Sequence, residues 1–467
     1  MMTRSRMPFL FRSCFRHTSA ASTQPKRMLS TASHMDKFKY VVLGGGTSAG
    51  YVAKAFADKG RGKDELALIS RDTAPPFERP ALSKGFLNAS KPARLPGFHT
   101  TVGTGGEPQD EAWYVEHGIT WLGEQDVTSV DFDNHVMSTA RGHSISFEKL
   151  IIATGVESSH LPADKVDDRG DILYLRSLAD AERLSQAMAS HRGGHALMIG
   201  GGYIGTEVTA KLIENGLQVT MVFPEDRLMN RLFSPQLAEV YAKAFADRGV
   251  SFAKGTLKSL QHDAQGNVTG AILNDGSTVQ CDLVVAGIGA RPDTSLFDGK
   301  LETTAGGLKV NGQLHTTAQD VYAIGDIAAF PLVLEGGKHV RQEHVQNARE
   351  TARHIVDVLL AEEDGRPAPA YDYTPYFYSR CLNFNWKFYG VNEGDIMHFG
   401  VLAEGEKYGA VWVRDGQIVG TFLDNGTPDE HERFKHVARE RPAVTGKGDV
   451  QRIVEGVVGQ ELASTLQ

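Results

Sequence analysis

Val41-Val42-Leu43-Gly44-Gly45-Gly46-Thr47-Ser48-Ala49 is a short apolar run that breaks into glycines. Leu197-Met198-Ile199-Gly200-Gly201-Gly202-Tyr203-Ile204-Gly205 repeats the pattern about one domain further on. Each run has the length of a buried strand, and each leads into a segment of helical character. In such a strand–turn–helix the first glycine permits the tight turn. The second lets backbone approach a pyrophosphate, and the third lets helix and strand pack closely. The helix N-terminus then presents unpaired N–H groups to the phosphates. Ala49 fills the third position of the first copy, a tolerated variant. One glycine turn is weak evidence, because such turns are common. Two copies, each between an apolar strand and a helix, predict an α/β chain with two Rossmann-like dinucleotide-binding domains. Electrons would then pass between two bound dinucleotides, most simply from a nicotinamide to a flavin.

The 467 residues are too many for one core, and two to four domains are expected. A net charge of −8 argues against general nucleic-acid binding, which needs a basic face. It leaves room for an anionic substrate held by local arginines. No apolar run approaches the ~20 residues of a membrane span. Cys14, Cys281 and Cys381 show no CxxC-like spacing, so a disulfide scaffold and a sequence-local redox dithiol are excluded. No cluster has metal-ligand spacing, and no metal is expected. Residues 1–35 differ in kind: they hold Arg4, Arg6, Arg12, Arg16, Lys26 and Arg27 and no acidic residue. That is the composition of a transit peptide, for a mitochondrion or chloroplast. The alternative is a start at Met35, which leaves the protein in the cytosol. The final Ser464-Thr465-Leu466-Gln467 is not the peroxisomal Ser-Lys-Leu ending.

After the first glycine turn the pattern predicts a helix over 51–58, a strand over 66–70 and a polar loop over 88–110. Leu150 to Gly155 reads as a strand ending in a glycine turn. Next come helices over 179–189 and 205–215, a strand over 218–223 and a helix near 235–248. Strands over 268–273 and 278–285 follow, joined by an Asp275-Gly276-Ser277 hairpin turn. A strand ending at Gly325-Asp326 returns the chain to the first unit, and a helix over 346–362 follows it. Beyond Pro367-Ala368-Pro369 the texture is aromatic and alternating, in Tyr376-Phe377-Tyr378-Ser379-Arg380 and Trp386-Lys387-Phe388-Tyr389. This predicts a C-terminal α+β domain with an antiparallel sheet.

Three features carry chemistry. Glu225 lies twenty residues beyond Gly205. An acid there accepts hydrogen bonds from the adenosine ribose and repels a 2′-phosphate, which favours NADH over NADPH. Arg227 and Arg231 weaken that discrimination, since either offers a phosphate site. Tyr378 and Arg380 are two apart and share a strand face, and arginine suits a small anion. The alternative for such an arginine is an ordinary surface ion pair. Lys84 reads either as a positive charge that stabilises a reduced flavin or as a plain surface lysine.

The two glycine turns, Ala153-Thr154-Gly155 and Gly325-Asp326 together resemble the two-dinucleotide flavoprotein reductases built like glutathione reductase. Four stretches narrow the resemblance: Glu78-Arg79-Pro80-Ala81-Leu82-Ser83-Lys84, Leu95-Pro96-Gly97-Phe98-His99, Gln342-Glu343-His344-Val345-Gln346-Asn347-Ala348-Arg349 and Pro375-Tyr376-Phe377-Tyr378-Ser379-Arg380. They are similar to the monodehydroascorbate reductase family of plants and green algae, and the similarity runs from about Lys37 to the C-terminal region. The expected division is a transit peptide at 1–35, read from its composition, then a discontinuous FAD-binding domain at 36–158 and 286–350. An NAD-binding domain at 159–285 and a C-terminal domain at 351–467 complete the division. The similarity implies that Gly44, Gly46, Thr47, Ser48, Ala49, Arg79, Lys84 and Asp326 hold FAD, with Asp326 on the ribityl chain. Asp72 would replace the family's usual glutamate on the adenosine ribose, one methylene shorter. Val127 and Arg176 match further FAD positions. Gly200, Gly202, Tyr203, Ile204, Gly205, Glu207, Glu225, Arg231 and Gly289 match the nicotinamide-nucleotide site, and Glu343 and His344 match positions near the two rings. Lys84 and Glu207 match an ion pair beside the flavin. Arg349 and Arg380 match the arginines that bind ascorbate, with Tyr378 beside them.

The implied activity is ascorbate recycling, an antioxidant reaction. NADH yields two electrons as a hydride, the monodehydroascorbate radical takes one, and a flavin can do both. The expected partner is that small anionic radical, with no nucleic acid and no membrane span. A monomer is the simpler expectation for the oligomeric state. The alternative is an NADH-dependent reductase of a ferredoxin or rubredoxin, which would need a broad basic patch. A third reading is a redox-sensing flavoprotein resembling apoptosis-inducing factor, whose reaction with NADH is slow.

Overall fold

The structure, a computed structural model, describes residues 35–162 and 170–467; Cys14 and all but the last residue of the expected targeting segment lie outside it. Strand β1 (Asp36–Leu43), helix α1 (Thr47–Asp58) and strand β2 (Leu66–Ile69) form the first glycine-turn unit. Tyr40 to Leu43 and all of β2 are buried, as strands covered on both faces must be. With β3 (Thr120–Leu122), β4 (Val127–Asp131), β5 (Val136–Thr139) and β6 (Ser144–Ile152) they form a sheet ordered β3-β2-β1-β6-β5-β4. The Val321–Ala323 strand pairs parallel to the end of β6, so a distant segment completes this sheet. Helix α1 begins four residues before the apolar periodicity predicts. Gly46 is itself its N-cap, and the small residues of the first turn carry no amphipathic signal.

The second unit is a parallel sheet. It contains β7 (Ile172–Leu173), helix α2 (Leu178–Ser190), β8 (His195–Ile199), helix α3 (Tyr203–Glu214), β9 (Gln218–Phe223), helix α4 (Pro235–Ala246) and β10 (Ser251–Lys254). A three-stranded antiparallel sheet, β11 (Leu257–His262), β12 (Val268–Leu273) and β13 (Thr278–Gln280), precedes β14 (Leu283–Ala286). The order of the parallel sheet is β10-β9-β8-β14-β7. The single strand expected over 278–285 is therefore two strands in two sheets. β13 lies at a sheet edge and is largely exposed, whereas β14 is fully buried between β8 and β7. Asp282 separates them and accepts the backbone N–H of His195.

Helix α5 (Val345–Glu363) packs on α1, and Tyr371 and Tyr373 still belong to the first core. A boundary at 350 and 351 thus falls inside a helix, and the chain leaves the first core only after Tyr373. The last unit is an antiparallel sheet of β15 (Tyr376–Cys381), β16 (Phe384–Gly390), β17 (Asp395–Gly400), β18 (Tyr408–Arg414) and β19 (Gln417–Asp424). Its order is β15-β16-β19-β18-β17, which leaves β15 at an edge. One face packs on α6 (Pro428–Glu440) and α7 (Lys447–Val458). The other docks on the second unit, where Trp386 donates to the Tyr241 hydroxyl and Phe384 stacks on the Tyr241 ring at 4.0 Å.

Asp424 is fully buried at the end of β19 and accepts the Asn385 N–H at 2.8 Å. Burial raises its carboxyl to about 6. A carboxyl raised on folding stabilises the native state fully below its unfolded value near 4, and that stability is lost as pH rises through the folded value. Thermal unfolding should therefore show a component worth up to about 3 kcal/mol that declines between about pH 4 and 6. Asp424→Asn should flatten that window, and an unchanged slope would refute the assignment.

Candidate functional site

A cavity of about 990 Å³ runs from the first glycine turn to the edge of the C-terminal sheet. Gly44, at φ +136°, opens it: a Cβ there would lie 2.3 Å from the Ala153 carbonyl oxygen. Gly46 caps α1 with no side-chain hydrogen bond, so the first-turn amides of Thr47 and Ser48 are left for a ligand. Ala49 is buried in the same turn. The second turn repeats the arrangement. Gly200, at φ +112°, would set a Cβ 2.3 Å from the Gly287 carbonyl oxygen, and Gly202 caps α3 without a side chain. At Gly205 a Cβ would stand 2.0 Å from the Gly200 carbonyl oxygen, so the third position of this copy admits only glycine.

Asp72, Arg79, Val127, Arg176 and Asp326 all line the cavity. Asp72 holds Arg79 at 2.9 Å. Burial lowers the Arg176 guanidinium to about 10, with the neighbouring Arg79 charge adding to the effect. Burial raises the Asp326 carboxyl, against the pull of Arg176. Thr154, also on the wall, has a buried hydroxyl without a partner. A long cavity with a bare helix N-terminus, two guanidinium groups and a central carboxylate has the donors and acceptors that a pyrophosphate and a polyol require. These residues fit FAD.

The other end of the cavity is lined by Lys84, Tyr203, Ile204, Glu207, Glu343, His344 and Tyr378. Lys84 Nζ lies 2.7 Å from Glu207 Oε2, and Ser83 Oγ donates to the same oxygen at 2.5 Å. Ser379 Oγ donates to Glu207 Oε1 at 2.8 Å. Glu207 is only 5% exposed, so this carboxylate is met by one cation and two hydroxyls from two other units. His344 Nε2 accepts the Tyr378 backbone N–H at 3.2 Å. Burial pushes His344 down to about 3, so the ring is neutral. The Tyr203 hydroxyl is buried without a partner. Glu343 pairs with Arg341 at 2.6 Å.

Not every expected residue reaches this cavity. Glu225 and Arg231 sit in the exposed turn after β9, and Gly289, at φ +108°, lies with open space around its α-carbon. Glu225 has no ion-pair partner among the described residues, whereas Arg227 is turned inward onto the Phe233 carbonyl at 3.0 Å. Arg349 and Arg380 do not converge on one point of the wall. Arg349 is spent on the buried Glu78 at 2.9 Å, and Arg380 is exposed, with Nε donating to Asn385 Oδ1 at 3.1 Å. Burial raises the Tyr376 hydroxyl, and the charges of Arg349 and Arg380 both oppose that rise.

The sequence reading missed Ser83, Ser379, Glu78 and Tyr376. Tyr376 shares the Tyr378–Arg380 strand face, so two-residue periodicity would have found it. Ser379 points to the opposite face, and no local signal marks it. Cys281 and Cys381 are single buried thiols, and burial raises both.

Residues 38–352 match the family described as pyridine nucleotide-disulphide oxidoreductase. Residues 374–456 match a domain described as monodehydroascorbate reductase 3-like, C-terminal. The chain is 46% identical to "Monodehydroascorbate reductase 4, peroxisomal" of Arabidopsis thaliana, over 87% of this chain and 83% of that protein. It is 41% identical to a monodehydroascorbate reductase of Solanum lycopersicum, over 87% and 95%. Among solved structures it resembles the covalent putidaredoxin reductase–putidaredoxin complex, with a TM-score of 0.78 and 26% identity over 90% of this chain and 99% of that one.

Lys84→Met leaves a buried carboxylate with two hydroxyls and no cation, and should destabilise the protein by about 3 kcal/mol. Glu207→Gln keeps a neutral acceptor for the hydroxyls and should cost less. Denaturant unfolding of the two variants checks the order, and a costlier Glu207→Gln would contradict the pairing.

Proposed function

The chain belongs to the monodehydroascorbate reductase family, and from that premise we propose how its residues reduce monodehydroascorbate to ascorbate with NADH. The observation that carries the reading is the cavity end at which Lys84 and Glu207, from the two nucleotide-binding units, meet Tyr378 of the C-terminal sheet. FAD, held by Gly44, Gly46, Arg79, Arg176 and Asp326, would supply the change from paired electrons of NADH to the single electrons that the radical takes.

The protein's own part is binding, orientation and charge. Gly44, Gly46 and the first turn of α1 take the pyrophosphate, Asp326 takes ribityl hydroxyls, and Asp72 and Arg79 close the adenosine end. Lys84 holds a positive charge at this end of the cavity, where it would favour the reduced, anionic state of a flavin. Glu207 fixes where that charge sits. Gly200, Gly202 and Gly205 receive NADH, and Glu225 accepts its adenosine ribose hydroxyls, with Arg231 and Gly289 at the rim. His344 is neutral, so it adds no charge at this end of the cavity. Tyr378, Tyr376 and Arg380 receive the radical anion, and Arg349 holds Glu78 behind them. Single buried thiols supply no dithiol relay among the described residues.

An organelle destination is the reading of residues 1–35, from their basic, acid-free composition. A fusion of these residues to a fluorescent protein should be imported by mitochondria or chloroplasts, and diffuse cytosolic signal would overturn it.

The activity is tested by generating the radical with ascorbate and ascorbate oxidase and following NADH oxidation at catalytic enzyme levels. Radical-dependent loss of NADH is expected, and its absence would sink the reading. Arg380→Ala should raise the KM for the radical about fivefold to thirtyfold, the effect of 1–2 kcal/mol of lost binding. Slower flavin reduction by NADH in that variant would contradict the role given to Arg380.

A further inference from the structure

The face of β15 and β16 that carries Tyr378 also carries a cation without a counter-charge. Strand register sets Tyr376 opposite Tyr389, Tyr378 opposite Lys387 and Arg380 opposite Asn385. Tyr376, Tyr378, Arg380 and Lys387 therefore share one face, and Arg380 and Lys387 are diagonal neighbours within reach of long side chains. Ser379 and Cys381 take the other face, toward Glu207 and Thr206.

Lys387 is partly buried and makes no hydrogen bond or ion pair among the described residues. Burial and the nearby Arg380 charge both lower its basicity, and Glu432 of α6 opposes them. Glu432 is largely exposed and is held by Lys435 at 3.1 Å. His431, beside it on α6, is buried and neutral, pushed down to about 4. Asn385 engages Arg380 only through Nε, which leaves its terminal amino groups without a partner among the described residues. Arg349 brings no net charge, because Glu78 already neutralises it. Lys84, 6.0 Å from the centre of the Tyr378 ring, is likewise paired, with Glu207, so the uncompensated positive charge beside Tyr378 comes from Arg380 and Lys387. Two like charges held this close are unfavourable until an anion joins them.

We propose that Lys387 is a specificity-determining residue that, with Arg380, binds the anionic acceptor against Tyr378. The inference rests on the chain being a reductase of monodehydroascorbate. Arg380 offers a planar fork to the enediolate oxygens, and Lys387 offers a compact charge that needs no fixed angle. The pair selects a small anion over an uncharged acceptor of the same size.

The test uses the FAD-loaded enzyme and its Lys387→Met, Lys387→Gln and Lys387→Arg variants. Radical-dependent NADH oxidation is measured over a range of ionic strength, and flavin reduction by NADH is followed separately by absorbance. Lys387→Met and Lys387→Gln should raise the KM for the radical about fivefold or more and flatten the dependence of kcat/KM on salt. The shift in KM should exceed any change in flavin reduction, and Lys387→Arg should restore both KM and the salt dependence. Lys387→Gln serves if Lys387→Met does not fold. An unchanged KM and salt dependence would overturn the proposal, as would a Lys387→Arg variant as impaired as Lys387→Met. A wild-type enzyme that shows no radical-dependent oxidation would instead overturn the reading on which it rests.

Discussion

The buried carboxylate of Glu207 is the constraint around which the three units assemble. A carboxylate removed from water costs several kcal/mol unless a cation and hydrogen bonds meet it. Its own helix supplies none of these. Ser83 and Lys84 come from the first unit and Ser379 from the last, so the requirement is met only when all three dock. Docking also sets the chemistry. Tyr203 lies one turn before Glu207 on α3, and Tyr378 adjoins Ser379 on β15, so satisfying one carboxylate brings both aromatic side chains to one end of the cavity.

The two glycine turns impose a second constraint, of contact rather than charge. Each brings its backbone against a carbonyl of a neighbouring strand end, Ala153 in one unit and Gly287 in the other. Each also leaves a helix N-terminus without a side-chain cap. In an ordinary helix a serine or aspartate would occupy that place. α2 shows the contrast, with Ser177 and Asp180 forming a reciprocal capping box. The uncapped ends are positive and suited to an anion.

Much of this was legible in the sequence wherever the signal was local. The apolar runs before each glycine turn, the β9 strand at 218–223 and the aromatic alternation after residue 375 all follow from short-range periodicity. The narrower activity came from resemblance and not from periodicity. What stayed hidden depends on distant partners. The 278–285 run looks continuous because both its halves are β-prone, yet its ends belong to different sheets. Helix α5 looks like a border because the chain's texture changes soon afterwards, yet it packs on α1. Arg349 resembles a free cation until Glu78, 271 residues away, is seen to hold it. Ser379 is silent because hydroxyls are common in strands, and only the neighbouring helix gives it a task.

Strand β15 shows how one edge can serve two sides of a reaction. Its alternation sends Phe377, Ser379 and Cys381 toward the nucleotide-binding units and Tyr376, Tyr378 and Arg380 to the opposite face. A one-residue slip would exchange the two sets, so register here is part of the chemistry. Because β15 is an edge strand, its outward N–H groups need a partner other than another strand. His344 meets that need at Tyr378. Only an imidazole nitrogen without a proton can accept the bond. Burial keeps the ring neutral, so one of its two nitrogens is without a proton, and the Tyr378 N–H calls for that nitrogen to be Nε2. The neutrality of His344 and the placement of Tyr378 are therefore one requirement.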